Sequence, residues 1–68
     1  MTMNIRLNGQ DEEFKDGATL IDILKEKDIN PETIIAEVDE VILKPEEFEG
    51  CKLNDGSVVE ILRFVGGG

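Results

Sequence analysis

The residues with the clearest chemical potential are three consecutive glycines, Gly66, Gly67 and Gly68, which stand last in the 68-residue sequence. At a background glycine frequency of about 7%, such a run at one given terminus arises by chance roughly 3 times in 10,000. No Cβ obstructs a segment of this kind, so it can extend and thread a narrow tunnel in another protein. It also leaves a terminal carboxylate sterically open. A carboxylate presented in this way can be adenylated by an ATP-dependent enzyme and converted to a reactive acyl derivative. A frayed terminus or a cloning remnant would leave the same three residues, so the remainder of the sequence has to decide.

That remainder offers little competing chemistry. Asp and Glu number 16 against 7 Lys and Arg, giving a net charge of −9, and His is absent. Imidazole-based triads and the commonest metal ligand are therefore excluded. A single cysteine, Cys51, forms no internal disulfide and no thiolate zinc cluster; it reads as a small, partly buried hydrophobe rather than an acceptor thiol. Glu46, Glu47 and Glu49 read as a solvated loop, because exposed carboxylates without fixed geometry seldom hold a metal. No metal site is expected.

Partners are bounded in the same way. Phosphate binding needs clustered basic residues and base stacking needs aromatics, yet the aromatics are only Phe14, Phe48 and Phe64. Nucleic acid is not an expected partner. No apolar run exceeds three residues, so neither a membrane span nor a signal-peptide core is expected. The sequence reads as one small cytoplasmic domain, monomeric when free. Any reaction it enters must draw most of its machinery from another protein.

The elements that must position the tail are legible from periodicity. Met3, Ile5 and Leu7 alternate with Asn4, Arg6 and Asn8, the period-two pattern of a half-buried strand. Asn8-Gly9 suits a tight type I′ hairpin, and a second strand over about 12–15 points Phe14 inward. Thr19 is an N-cap with Asp22 three positions on, an acidic capping box. Leu20, Ile23 and Leu24 then share one buried helix face, with Lys25 and Lys27 near its C-terminus and Asn30-Pro31 as its stop.

Ile34, Ala36 and Val38 alternate with Ile35, Glu37 and Asp39, and Val41-Ile42-Leu43 follows across an Asp39-Glu40 turn. A connection over 44–50 is pinned by Phe48, and a short strand or turn near 51–53 precedes Asn54-Asp55-Gly56. The last strand, from Ser57 to about Phe64, carries Val59 and Ile61 on one face. Glu60 marks the other face as solvent-facing, which leaves Leu62 and Phe64 as outward apolar side chains. Hairpins around a single helix give a two-layer α+β domain.

Taken in order, Ile5-Arg6-Leu7-Asn8-Gly9, Asp16-Gly17-Ala18-Thr19-Leu20, Glu47-Phe48, Asp55-Gly56-Ser57-Val58-Val59-Glu60-Ile61 and Phe64-Val65-Gly66-Gly67-Gly68 resemble the ThiS-type sulfur carriers of thiamine biosynthesis. The resemblance spans essentially the whole chain. It implies a ubiquitin-like β-grasp, a mixed sheet of four to five strands packed on one main helix, over 1–65, with 66–68 as the glycine tail. It implies a carrier and not a catalyst. Gly68 would bear an acyl adenylate and then a thiocarboxylate, Gly66 and Gly67 would form the slim approach, and Leu62, Phe64 and Val65 would contact the partner.

The implied partners are a ThiF-like adenylating enzyme, which uses ATP and magnesium, a cysteine-desulfurase or rhodanese-type sulfur donor, and thiazole synthase. The carrier itself would bind no cofactor. Asp39-Glu40 stands where the family often has Asn-Gly, which bears on the turn and not on the carrier chemistry. Related readings share the tail: the MoaD-like small subunit of molybdopterin synthase, whose chains are usually longer, and archaeal modifiers that are conjugated to lysines or supply sulfur for tRNA thiolation. A plain interaction domain with an incidental tail is the remaining alternative.

Overall fold

The computed structural model describes residues 1–63. Five strands, β1 (Thr2–Leu7), β2 (Gln10–Lys15), β3 (Ile34–Val38), β4 (Val41–Leu43) and β5 (Val58–Arg63), form one sheet in the order β2-β1-β5-β3-β4. β1 and β5 are parallel; the other neighbours run antiparallel. One α-helix, α1 (Leu20–Glu26), covers one face. Periodicity leads one to expect this helix on a mixed sheet, and the resemblance implies its β-grasp arrangement. Among the described residues no helix is long and apolar enough to cross a membrane.

Both hairpins close through two residues with positive φ. Asn8 (48°) and Gly9 (83°) join β1 to β2, and Asp39 (49°) and Glu40 (72°) join β3 to β4. The first is the turn expected of Asn-Gly. At the second, glutamate occupies a left-handed conformation that crowds its Cβ against the backbone, and the turn forms nonetheless.

The helix begins as expected. Thr19 N–H donates to Asp22 Oδ2 at 2.9 Å and Asp22 N–H donates to Thr19 Oγ1 at 3.3 Å, a reciprocal capping box. Its end differs from the expected stop at Asn30-Pro31. Asp28 turns to φ 58°, Asp28 N–H donates to Lys25 O and Ile29 N–H donates to Leu24 O. These two bonds are a Schellman closure, which satisfies the last carbonyls without waiting for proline. Asn30 instead caps a short 3-10 turn, Pro31–Thr33, by accepting from Glu32 N–H.

Met3, Ile5, Leu7, Phe14, Leu20, Ile23, Leu24, Ile34, Ala36, Phe48, Leu53 and Val59 make one continuous core between helix and sheet. Phe48 is fully buried, so the acidic connection is anchored as its single aromatic predicts. The segment near 51–53 forms no strand of the sheet; it makes an isolated bridge, Thr19 with Lys52, and places Leu53 in the core. Ser57 is the buried polar residue, and its Oγ accepts from Asn54 N–H at 2.9 Å.

Candidate functional site

The site is best built from the strand that leads into the glycines. β5 lies in the middle of the sheet, with β1 on one side and β3 on the other. Its start is fixed twice over. Asp55 Oδ1 accepts from Asn4 N–H at 2.7 Å and Gly56 N–H donates to Asn4 O at 2.7 Å, which ties the preceding turn to β1. On the β3 side, Asp39 N–H donates to Val58 O and Asp39 Oδ1 accepts from Val58 N–H, both at 2.8 Å.

Further along, the two sides differ. Pairing with β3 continues through Ile35↔Leu62 to Ile34↔Arg63. Pairing with β1 stops at Leu7↔Val59, because β1 turns away into its hairpin. Asn8 N–H then donates to Val59 O at 2.9 Å, and its side-chain Oδ1 accepts from Ile61 N–H at 2.8 Å. The sequence pattern marks Asn8 only as a turn former; the bond to Ile61 spans 53 positions and has no local signature.

Alternation along β5 is as expected. Val59 is buried and Ile61 half-buried against the helix side, whereas Val58, Glu60 and Leu62 face the open side. Leu62 is 67% exposed, so the assignment of this side chain to an outer face holds. Ile35 on β3 lies opposite it in register, and Ile42 on β4 stands opposite Glu37. Ile35, Ile42 and Leu62 are all exposed large apolar side chains, and together with Glu37 and Glu60 they line a shallow depression. Glu37 and Glu60 face each other directly across the β3–β5 ladder, a like-charge pair that disfavours the isolated sheet. Ile35 and Ile42 extend the outer apolar surface beyond Leu62. For Ile35 the signal is its alternation with Ile34 and Ala36; Ile42 stands in the continuous apolar run Val41-Ile42-Leu43, where no alternation marks a face.

Phe64, Val65, Gly66, Gly67 and Gly68 lie outside the described residues. What the structure supplies is the strand they follow and the face beside it.

Among the described residues no group of His, Cys, Asp or Glu is arranged to hold a metal. A cleft of about 540 Å³ beside Gly17 is lined by Phe14, Lys15, Asp16, Asp22, Ile23 and Glu26, without a hydroxyl, thiol or imidazole. Cys51 is a free, half-buried thiol. Burial pushes its pKa up, and the carboxylates of Asp39 and Glu47 raise it further. A thiol held protonated is a poor nucleophile, in keeping with a packing role. Glu46, Glu47 and Glu49 are exposed, and Glu47 is occupied locally, its Oε1 accepting from Lys44 N–H at 2.8 Å.

Comparison with known proteins bears on what this face and strand serve. The model of the ThiS family matches residues 5–68. The sulfur carrier protein ThiS of Bacillus subtilis (strain 168) is 35% identical over 65 residues, covering 94% of this chain and 98% of that protein. The crystal structure of a thiamine biosynthesis protein (ThiS) from Geobacter metallireducens superposes with a TM-score of 0.82 at 28% identity, covering 97% of this chain and all of that one. A solution structure of a thiamine biosynthesis protein from the same organism gives 0.73 at 31% identity, over 97% and 88% of the two chains.

Proposed function

The chain belongs to the ThiS family, and from that premise we propose that it carries sulfur on Gly68 for thiazole formation in thiamine biosynthesis. The Gly68 carboxylate attacks the α-phosphate of ATP, with magnesium supplied at the activating enzyme, and pyrophosphate leaves. The terminal persulfide sulfur of a cysteine-desulfurase or rhodanese-type donor then attacks the acyl carbon and AMP leaves; a thiol reduces the resulting acyl disulfide, forming a disulfide with the donor cysteine and freeing the thiocarboxylate. Thiazole synthase takes the sulfur from it. The carrier contributes a handle and a docking face; the catalytic groups belong to its partners.

The observation that carries this reading is the placement of an exposed apolar face on β3, β4 and β5 beside the strand that leads into Gly66, Gly67 and Gly68. Leu62 docks from that face, with Phe64 and Val65 continuing the contact toward the tunnel. A ThiF-like adenylating enzyme offering apolar side chains beside a cation would complement Ile35, Ile42 and Leu62 around the Glu37–Glu60 pair. The net charge of −9 speeds encounter with a basic rim.

One experiment tests the tail chemistry. The chain is incubated with ATP, magnesium, a ThiF-type enzyme and a sulfide source, and its intact mass is followed. The expected result is replacement of one oxygen by sulfur at Gly68. A variant with one residue added after Gly68 is expected to stay unmodified while melting at the same temperature. Thiocarboxylate formation on that blocked variant would overturn the proposal.

A further inference from the structure

We propose that Asn8 is a positioning residue, whose side-chain amide aims the last residues of β5 and, through them, the glycine tail. This rests on the sulfur-carrier reading, since it concerns how Gly68 reaches the adenylating centre.

The argument starts from the unequal support of β5. On the β3 side it is paired as far as Arg63. On the β1 side the strand partner ends at Leu7, opposite Val59. A parallel neighbour running on would offer its next carbonyl to Ile61 N–H. The Asn8 side-chain carbonyl stands there instead, at 2.8 Å. Because Ile61 N–H is a donor, the amide must present its oxygen, which fixes the orientation of the side chain.

Asn8 can do this because of its backbone. Its φ of 48° belongs to the turn and lies in a region that asparagine tolerates. From there its main-chain N–H bonds Val59 O while its side chain bonds Ile61 N–H. One residue thus extends the β1-side support two positions toward the tail.

Without that second bond, the end of β5 is held from the β3 side alone and can swing about that ladder. Gly68 lies seven residues beyond Ile61, an extended reach of at most about 24 Å. A swing of about 10° at Ile61 would displace Arg63, the end of β5, by roughly 1 Å, and a shift of about 1 Å handed on to a reacting group already slows chemistry.

Asp39 supplies the matched control. It too has positive φ, and its side chain accepts from a β5 N–H at 2.8 Å, but at Val58, where the strand begins. Loss of that bond weakens the fold without freeing the end that leads to the tail.

The test compares the parent chain with Asn8→Gly, Asn8→Asp and Asp39→Gly. Adenylation of each by a ThiF-type enzyme is measured as a saturating single-turnover rate and a KM, alongside amide exchange at Ile61. Glycine keeps the turn conformation and removes the acceptor; aspartate keeps both. Asn8→Gly is expected to speed Ile61 exchange and to slow the saturating rate about fivefold, as for one lost hydrogen bond, with KM within about twofold because the docking face is intact. Asn8→Asp and Asp39→Gly are expected to match the parent rate.

A parent-like rate for Asn8→Gly overturns the inference, as does equal slowing by Asp39→Gly. Failure of the parent itself to be adenylated, by an enzyme active on its own carrier, overturns the carrier reading and this inference with it.

Discussion

On one face of the sheet Met3, Ile5, Ile34, Ala36 and Val59 are buried beneath α1; on the other, Ile35, Ile42 and Leu62 stand in solvent around Glu37 and Glu60. Residues adjacent in sequence, such as Ile34 and Ile35, thus serve different ends. The covered side supplies cohesion, because removing apolar surface from water is the main favourable contribution to folding. The open side adds little to the isolated domain, and its opposed carboxylates subtract from it. The docking proposed above would give its apolar surface a use. Stability and docking should therefore respond to different residues.

The largest effect is expected on the covered side. Phe48 is fully buried, so Phe48→Ala should destabilise by about 3–5 kcal/mol. A domain this small holds only roughly 3–10 kcal/mol in all. The variant should be largely unfolded at 37 °C by circular dichroism. Retention of a cooperative transition within about 1 kcal/mol of the parent would show that the acidic connection, and not the core, carries the load.

The open side should behave in reverse. Leu62→Asp puts a third carboxylate beside Glu60 and deletes the apolar side chain opposite Ile35. Binding to a ThiF-type enzyme should weaken roughly 30-fold, as for an interface anchor worth about 2 kcal/mol. Stability should move by no more than about 0.5 kcal/mol. Calorimetric titration and thermal melts read the two quantities separately. Unchanged binding would mean that the apolar face is not where the activating enzyme sits.

Much of this division is legible in the sequence because strands alternate. Period two placed Val59 and Ile61 inside and Leu62 outside, and the same rule applied to Ile34 and Ile35. The helix start was legible because Thr19 and Asp22 bond locally. Its end was less so: the Schellman closure needs Asp28 in a left-handed conformation, which aspartate adopts without announcing it. Contacts that join distant segments were not legible at all. Asn8 to Ile61 and Asp39 to Val58 arise only once three strands are side by side, and nothing in the spacing of those residues encodes them.

The smallest effect sharpens the comparison at the rim between the faces. Glu40 occupies φ 72° in the β3–β4 turn, where a Cβ is disfavoured by roughly 1–2 kcal/mol. Glycine removes that strain but also gains freedom in the unfolded chain, which offsets about half of it. Glu40→Gly should therefore stabilise the domain by about 0.5–1 kcal/mol, read as a higher denaturation midpoint at unchanged slope. The substitution leaves Ile35, Ile42 and Leu62 in place, so affinity for the activating enzyme should stay within about twofold. A gain in stability accompanied by a loss of docking would mean that the strained turn itself meets the partner, and that the boundary between the two faces runs through Glu40 rather than beside it.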